Sequence, residues 1–422
     1  MFRSHIHPAS AIFIGYISIS LIGIASLRMI TELAPLHVFG EANLIVTALL
    51  LVQQIVMAPF YNTVLRYQTE FSDPVISNEF SLEALAWSLV STAALTAVVV
   101  LCLYVWSCFS GRSVGIIMIA AGFWLLAGSI KTTVMYRFHA ERRQPTFMSL
   151  AVLEAFLLAA GPVSALQFSP TSDMYLAGYA SGGICLAVIS ILVAPWPVLS
   201  GLKWPSRRSR FFEKVVSYGA AFSPLAALGW LSNLADRYTL GFFLGSAAVG
   251  QYLAAFAVAN RGMALASGGM AELFRPMLFE AENRGDREKA RRVFLVWLVA
   301  TTIASIAALI AIYFLGSWVA WLVLSETYRS GSTEIMLWIT LAYGIYGLTQ
   351  IVECRLMSLH ASTQLILPLA IGGIANLVFS VALIYWVGII GAAQASCASF
   401  AVQATVTTLI LVFHLRHRDR AR

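Results

Sequence analysis

Charged residues cut the chain into long apolar runs. Arg3 to Arg28, Glu41 to Arg66, Glu83 to Arg112 and Asp173 to Lys203 each bound a stretch free of Asp, Glu, Lys and Arg, as do Arg237 to Arg261 and Arg292 to Glu326. A helix needs about 20 apolar residues to cross roughly 30 Å of hydrocarbon, and each run is long enough. From Arg355 to Arg416 no charged residue intervenes; that stretch fits two helices joined by a tight turn near Val387-Gly388. The alternating segments of about ten residues that mark a spanning β-barrel are missing. The pattern predicts helices at about 10–31, 42–62, 82–107, 114–136, 146–168, 174–197, 215–235, 244–271, 293–315, 332–353, 362–386 and 389–413. Twelve crossings put both termini on one side.

Composition agrees. Of 422 residues, 59% are hydrophobic and only 11% charged, against about 25% charged in soluble domains. A cytosolic enzyme is excluded, and the expected fold class is an all-α polytopic membrane protein. The 27 Lys and Arg residues are lopsided. With the termini inside, 21 fall in cytoplasmic segments and three (Arg112, Arg237, Arg329) outside, as the positive-inside rule requires. The +7 net charge thus reports topology. Nucleic acid is not an expected partner, because the basic residues are scattered over separate loops. The first apolar run exceeds the 7–15 residues of a signal-peptide core and reads as a retained helix. The five cysteines lack metal-ligand spacing and read as small buried side chains, although Cys102 and Cys108 have the option of meeting near the outer face.

The chain divides into an N-terminal six-helix bundle (1–199), a basic cytoplasmic linker (200–214), a C-terminal six-helix bundle (215–415) and a basic cytoplasmic tail (416–422). Three landmarks recur at nearly one offset: Pro59 with Pro276, His139-Ala140 with His360-Ala361, and the small-residue run at Gly178 with that at Gly391. Repetition of this kind predicts two pseudo-symmetric bundles around a central cavity, a transporter architecture. The longest outer loop, about Gly316 to Gly331, leaves no room for an enzyme domain. No HExxH motif or Ser/His/Asp set emerges. Gly245 to Gly250 has P-loop glycine spacing but continues Gln251-Tyr252 without the Lys and Ser/Thr that hold phosphate and Mg²⁺. Neither a cofactor nor a metal is expected.

Ionisable residues inside spans cost about 3 kcal/mol on insertion scales, and therefore face a cavity or a partner. Arg261 lies 14 residues before Arg275, about 21 Å along a helix. It lines a cavity or is tied to a carboxylate such as Glu154 or Glu353. Arg28 stands one turn before Glu32, so an i,i+4 pair is the plain alternative to a functional role. Lys131 is about 9 Å from the boundary at Arg137 and either lines the cavity or snorkels. Glu154 is a protonatable switch or a counter-charge for Lys131 or Arg261. Asp236-Arg237 reads as local pairing or capping. A cavity lined by Arg261, Arg28 and Lys131 suits an anionic head group such as a diphosphate.

Asp236-Arg-Tyr-Thr-Leu-Gly-Phe-Phe-Leu-Gly245 and Val249-Gly-Gln-Tyr-Leu-Ala-Ala-Phe256 resemble the middle of Wzx-type polysaccharide flippases, members of the MATE-like multidrug/oligosaccharidyl-lipid/polysaccharide exporter superfamily. Phe274-Arg-Pro-Met-Leu278, Gly285-Asp-Arg-Glu-Lys-Ala-Arg291 and Val387-Gly-Ile-Ile-Gly-Ala-Ala393 extend the resemblance. It implies a non-enzymatic transporter in the bacterial cytoplasmic membrane. Such a protein carries an undecaprenyl-diphosphate-linked oligosaccharide from the inner to the outer leaflet by alternating access, for O-antigen or exopolysaccharide export. Its implied partners are the glycan lipid, membrane lipids, H⁺ or Na⁺, and a polysaccharide polymerase with its chain-length machinery. The alternative is a MATE-like ion-coupled exporter of small cationic drugs, which wants acidic groups where only Glu154 stands out.

Overall fold

The computed structural model describes residues 8–71, 73–110, 115–194, 197–220, 222–359 and 361–420. Arg3, Arg112 and Arg422 of the charge count, and the His360 landmark, lie outside the described residues. Among the described residues there is no strand. The helices are α1 (Pro8–Leu33), α2 (Leu36–Tyr67), α3 (Pro74–Ser110), α4 (Gly115–Ala140), α5 (Gln144–Leu166), α6 (Ser172–Val193), α7 (Phe222–Leu234), α8 (Asp236–Asn283), α9 (Arg287–Val323), α10 (Ser332–Ser358), α11 (Ile366–Val387) and α12 (Ile389–Arg420). Every one except α7 contributes a segment long and apolar enough to span a bilayer, eleven in all among the described residues. The chain is an all-α polytopic membrane protein.

The helices overrun the apolar stretches that define them. α9 has 37 residues, about 55 Å, well beyond the hydrocarbon core. The expected outer loop from Gly316 is therefore mostly helix: α9 continues to Val323, and only a 3₁₀ turn at Glu326–Tyr328 follows. Tyr328 is buried edge-on against Phe39. The crossing expected at 215–235 departs from a single regular helix. It opens as a π-helical turn, Glu213–Tyr218, and its regular part is the 13-residue α7.

Two compact units emerge, one of residues 1–34 and 45–227, the other of 35–44 and 228–422. The chain passes from one to the other just before α2, inside α2 and inside α7. In the first unit α5 packs on α1 and α6, and α4 on α3 and α6. Its core gathers Leu82, Leu85, Val134, Phe138 and Leu150. A second cluster joins Met57, Phe60 and Phe80 to Phe211 and Val215, so the basic linker is folded onto the ends of α2 and α3. Arg210 pairs with Glu79 at 2.6 Å, and Lys214 with Glu70 at 2.5 Å. In the second unit α10 packs on α8, α9 and α12, and α11 on α12, around Leu278, Val293, Trp297 and Ile351. Cys102, Cys108 and Cys185 are exposed and Cys354 buried, all as free thiols; the expectation of buried cysteines holds only for the last. Helical exposure on a spanning segment is lipid exposure, which an apolar thiol tolerates.

α8 is two helices in one. Gly245, at φ 81° and ψ 174°, breaks it after Leu244, a backbone region that is essentially glycine-only. An added Cβ there would meet nothing within 4 Å, so the cost of replacing Gly245 is conformational alone. Gly245→Ala is expected to destabilise the protein by about 1–3 kcal/mol. Gly269→Ala, in the regular part of α8 and also facing open space, is expected to be neutral or stabilising. Unfolding midpoints in detergent compare the two.

Candidate functional site

Lys131 and Glu154 meet inside the first unit. The Lys131 Nζ donates to Glu154 Oε1, and the side chains retain 11% and 24% exposure. α4 runs on to Ala140, so Lys131 lies about 14 Å from that end and about 24 Å from the other. Glu154 is about 15 Å from the start of α5 and about 18 Å from its end. Each charge thus sits well inside its helix, and the two are paired with each other. Glu154 is therefore paired with Lys131 rather than with Arg261.

Polar and aromatic side chains line the packing of α4 against its neighbours. Gly128, one turn before Lys131, gives Gln53 of α2 its place: a Cβ at 128 would lie 2.3 Å from the Gln53 Nε2. Thr92 and Ser129 share a buried hydrogen bond of 2.8 Å. On the same helix Tyr136 stacks with Tyr61 at 4.5 Å, and Trp124 leans on Tyr179 at 5.7 Å. Such contacts tie α4 to its neighbouring helices.

The other two expected cations are not part of this cluster. Arg28 holds Glu32 at 2.5 Å one turn along α1, with exposures of 34% and 52%. That is the i,i+4 pair the spacing predicts, and such exposed pairs contribute only about 0–1 kcal/mol. Arg261 belongs to the second unit, where it is half-buried on α8 between Asn260 and Gly262. Of the two carboxylates considered for it, Glu154 holds Lys131, and Glu353 accepts a hydrogen bond from the Gln403 Nε2 at 3.1 Å.

Residue spacing missed a buried carboxylate. Asp236 is 1% exposed. Its Oδ2 accepts from the Tyr252 hydroxyl at 2.6 Å and from Ser396 Oγ at 3.3 Å, while the Arg237 N–H donates to Oδ1 at 2.9 Å. The last contact is local, between adjacent residues; the other two are tertiary. Arg237 lies over the Phe256 ring at 4.9 Å. Glu353 extends the polar interior, since Gln403 also accepts from Ser232 Oγ at 3.1 Å. The break at Gly245 sends the chain back past Asp236, so Tyr252, 16 residues on, reaches it. The only sequence signals were the Asp-Arg step and the glycine itself. Among the described residues, no three His, Cys, Asp or Glu side chains gather closely enough to hold a metal ion.

No family model matches the chain, and no curated protein matches it. Solved structures do. An inward-facing multidrug resistance MATE family transporter of the MOP superfamily superposes with a TM-score of 0.70 at 12% identity, covering 97% of this chain and 99% of that one. The lipid II flippase MurJ, in an inward closed conformation, gives 0.69 at 13% identity, covering 96% and 86%. A MOP superfamily transporter from Pyrococcus furiosus, whose binding pocket is described as having reverse polarity that suggests a different function, gives 0.66 at 12% identity and 96% of both chains. The chain has the fold of MOP-superfamily transporters.

Proposed function

We propose that the protein is a flippase, which carries an undecaprenyl-diphosphate-linked oligosaccharide from the inner to the outer leaflet of the bacterial cytoplasmic membrane by alternating access. The observation that carries this reading is the Lys131–Glu154 pair inside the first unit of a chain whose fold is shared with a lipid II flippase. A diphosphate and its sugars cannot enter hydrocarbon, whereas the polyprenyl tail can stay in it. The protein therefore has to offer the head group polar contacts at bilayer depth. Lys131 supplies an ammonium whose carboxylate partner an incoming phosphate oxygen can replace. Glu154, released, takes up a proton, which couples the crossing to H⁺. Arg261 and Arg28 add cations along the route, and amides such as Gln53 meet the sugars. No step breaks a covalent bond. Both termini, the 200–214 linker and the 416–422 tail face the cytoplasm. The 1–199 and 215–415 bundles act as the two repeats, and a polysaccharide polymerase takes up the product outside.

In a strain lacking the gene, complementation with Arg261→Glu is expected to cut surface glycan about 10- to 100-fold, the equivalent of losing one charge-assisted contact of roughly 1.5–3 kcal/mol. Lipid-linked repeats then accumulate on the inner leaflet. Normal export from an equally expressed variant removes Arg261 from the mechanism.

The buried carboxylate Asp236 and the half-buried Glu353 favour a second reading, ion-coupled export of small cationic drugs. Drug susceptibility of the same deletion strain separates the two: unchanged susceptibility with blocked glycan export supports the flippase, and the reverse supports the exporter.

A further inference from the structure

At one end of the second unit, the end of α8, the start of α9 and the ends of α10 and α12 enclose a hollow of about 430 Å³. Arg287 and Arg291, one turn apart on the first turns of α9, and Arg355 of α10 line it. Arg355 is fixed in place: it binds Glu282 at 2.6 Å, with side-chain exposures of 9% and 5%. Three guanidinium groups therefore face a single lining carboxylate. The opposite wall is apolar, made in part by Leu411 and Leu415, one turn apart on α12.

The same turns of α12 line a second hollow, of about 580 Å³, almost wholly apolar. It is bounded by Leu409 and Phe413, which remain 63% and 66% exposed. Cationic and aliphatic surfaces thus lie side by side at a helix end, where a bilayer has its phosphates and its first methylenes. A site for a soluble anion needs no leucine wall, and a site for a neutral lipid needs no arginines.

We propose that the arginine-lined hollow holds the head group of a resident anionic glycerophospholipid. Its phosphate lies on Arg287 and Arg291, and an acyl chain runs along Leu411 and Leu415. Guanidinium suits the phosphate because it donates two parallel hydrogen bonds, and basic hollows between helix ends on the cytoplasmic side are where such head groups bind. The lipid is a bound component of the second unit and is independent of what the protein transports.

The purified full chain, in micelles carrying equal amounts of dioleoylphosphatidylglycerol and dioleoylphosphatidylcholine, is examined by native mass spectrometry. Retention of phosphatidylglycerol over phosphatidylcholine by about tenfold is expected. R287A/R291A is expected to lose this preference and R287K/R291K to keep most of it. Excess inorganic phosphate is expected not to displace the lipid. Equal retention of the two lipids by the wild-type protein overturns the proposal, as does an unchanged preference in a folded R287A/R291A variant. Displacement by inorganic phosphate also overturns it, by making the hollow a soluble-anion site. The lipid comparison and the phosphate competition use only the wild-type chain, so they decide the matter even where the alanine variant does not fold.

Discussion

Lys131→Met is expected to destabilise the protein by about 3–5 kcal/mol, and Glu154→Gln by a similar amount, whereas the double variant K131M/E154Q recovers most of the loss. Each single change leaves one largely enclosed charge without the partner that neutralises it. The low exposure of the pair means little water reaches in to screen what remains. Removing both charges deletes the attraction and the desolvation penalty together, so the two effects nearly cancel. Chemical or thermal unfolding of the four proteins in one detergent gives the coupling. Losses that simply add in the double variant show that the two side chains do not depend on each other. Export separates structure from function. If the ammonium receives the diphosphate, K131M/E154Q is stable yet inactive, and the exchanged pair K131E/E154K is stable with reduced export because the cation has moved to α5. A stable double variant with normal export takes Lys131 out of the transport path.

Much of the fold was legible because it follows from solvent. A bilayer makes every spanning backbone satisfy itself, and charges mark where spans end. The turn at Val387-Gly388 is found where the charge-free stretch required one, with Gly388 at φ 78°. Helix ends were less legible. Once nucleated, a helix extends past the hydrocarbon as long as its sequence permits, and α9 runs through the predicted outer loop. The candidate site was legible as a set of charges but not as a set of contacts. Arg28–Glu32 follows from spacing on one helix. Lys131–Glu154 joins two helices, and periodicity gives the depth of each charge without the rotation that decides whether they meet. Asp236 meets Tyr252, 16 residues on, and Ser396, 160 residues on, and Glu282 meets Arg355, 73 residues on. Only the tertiary fold, with a glycine break in α8 for the first of them, brings these groups together.

The second large effect is expected at Gly178. A Cβ there would lie 2.3 Å from the carbonyl oxygen of Gly161 and 2.7 Å from the nitrogen of Pro162. The contact is reciprocal, since a Cβ on Gly161 would stand 2.0 Å from the Gly178 oxygen, and one on Gly182 would stand 2.4 Å from the Leu157 oxygen. All of these neighbours are backbone, which cannot rotate aside, so α5 and α6 can accept a methyl only by separating along their seam. Within a membrane the seam is held by close van der Waals approach, because lipid tails are as apolar as the helices they would replace. Gly178→Ala is therefore expected to cost about 3 kcal/mol, the upper part of the range for overpacking. Gly183→Ala supplies the contrast on the same helix. Its Cβ would meet only the Trp124 side chain, at 3.0 Å, and a ring can give by a few tenths of an ångström, so a loss below about 1.5 kcal/mol is expected. α5 also carries Glu154, and α4, which packs on α6, carries Lys131. Separating α5 from α6 therefore shifts the carboxylate relative to its ammonium. A double-mutant cycle between Gly178→Ala and Glu154→Gln is expected to show coupling above about 0.5 kcal/mol; strict additivity means that the seam and the charge pair are mechanically independent.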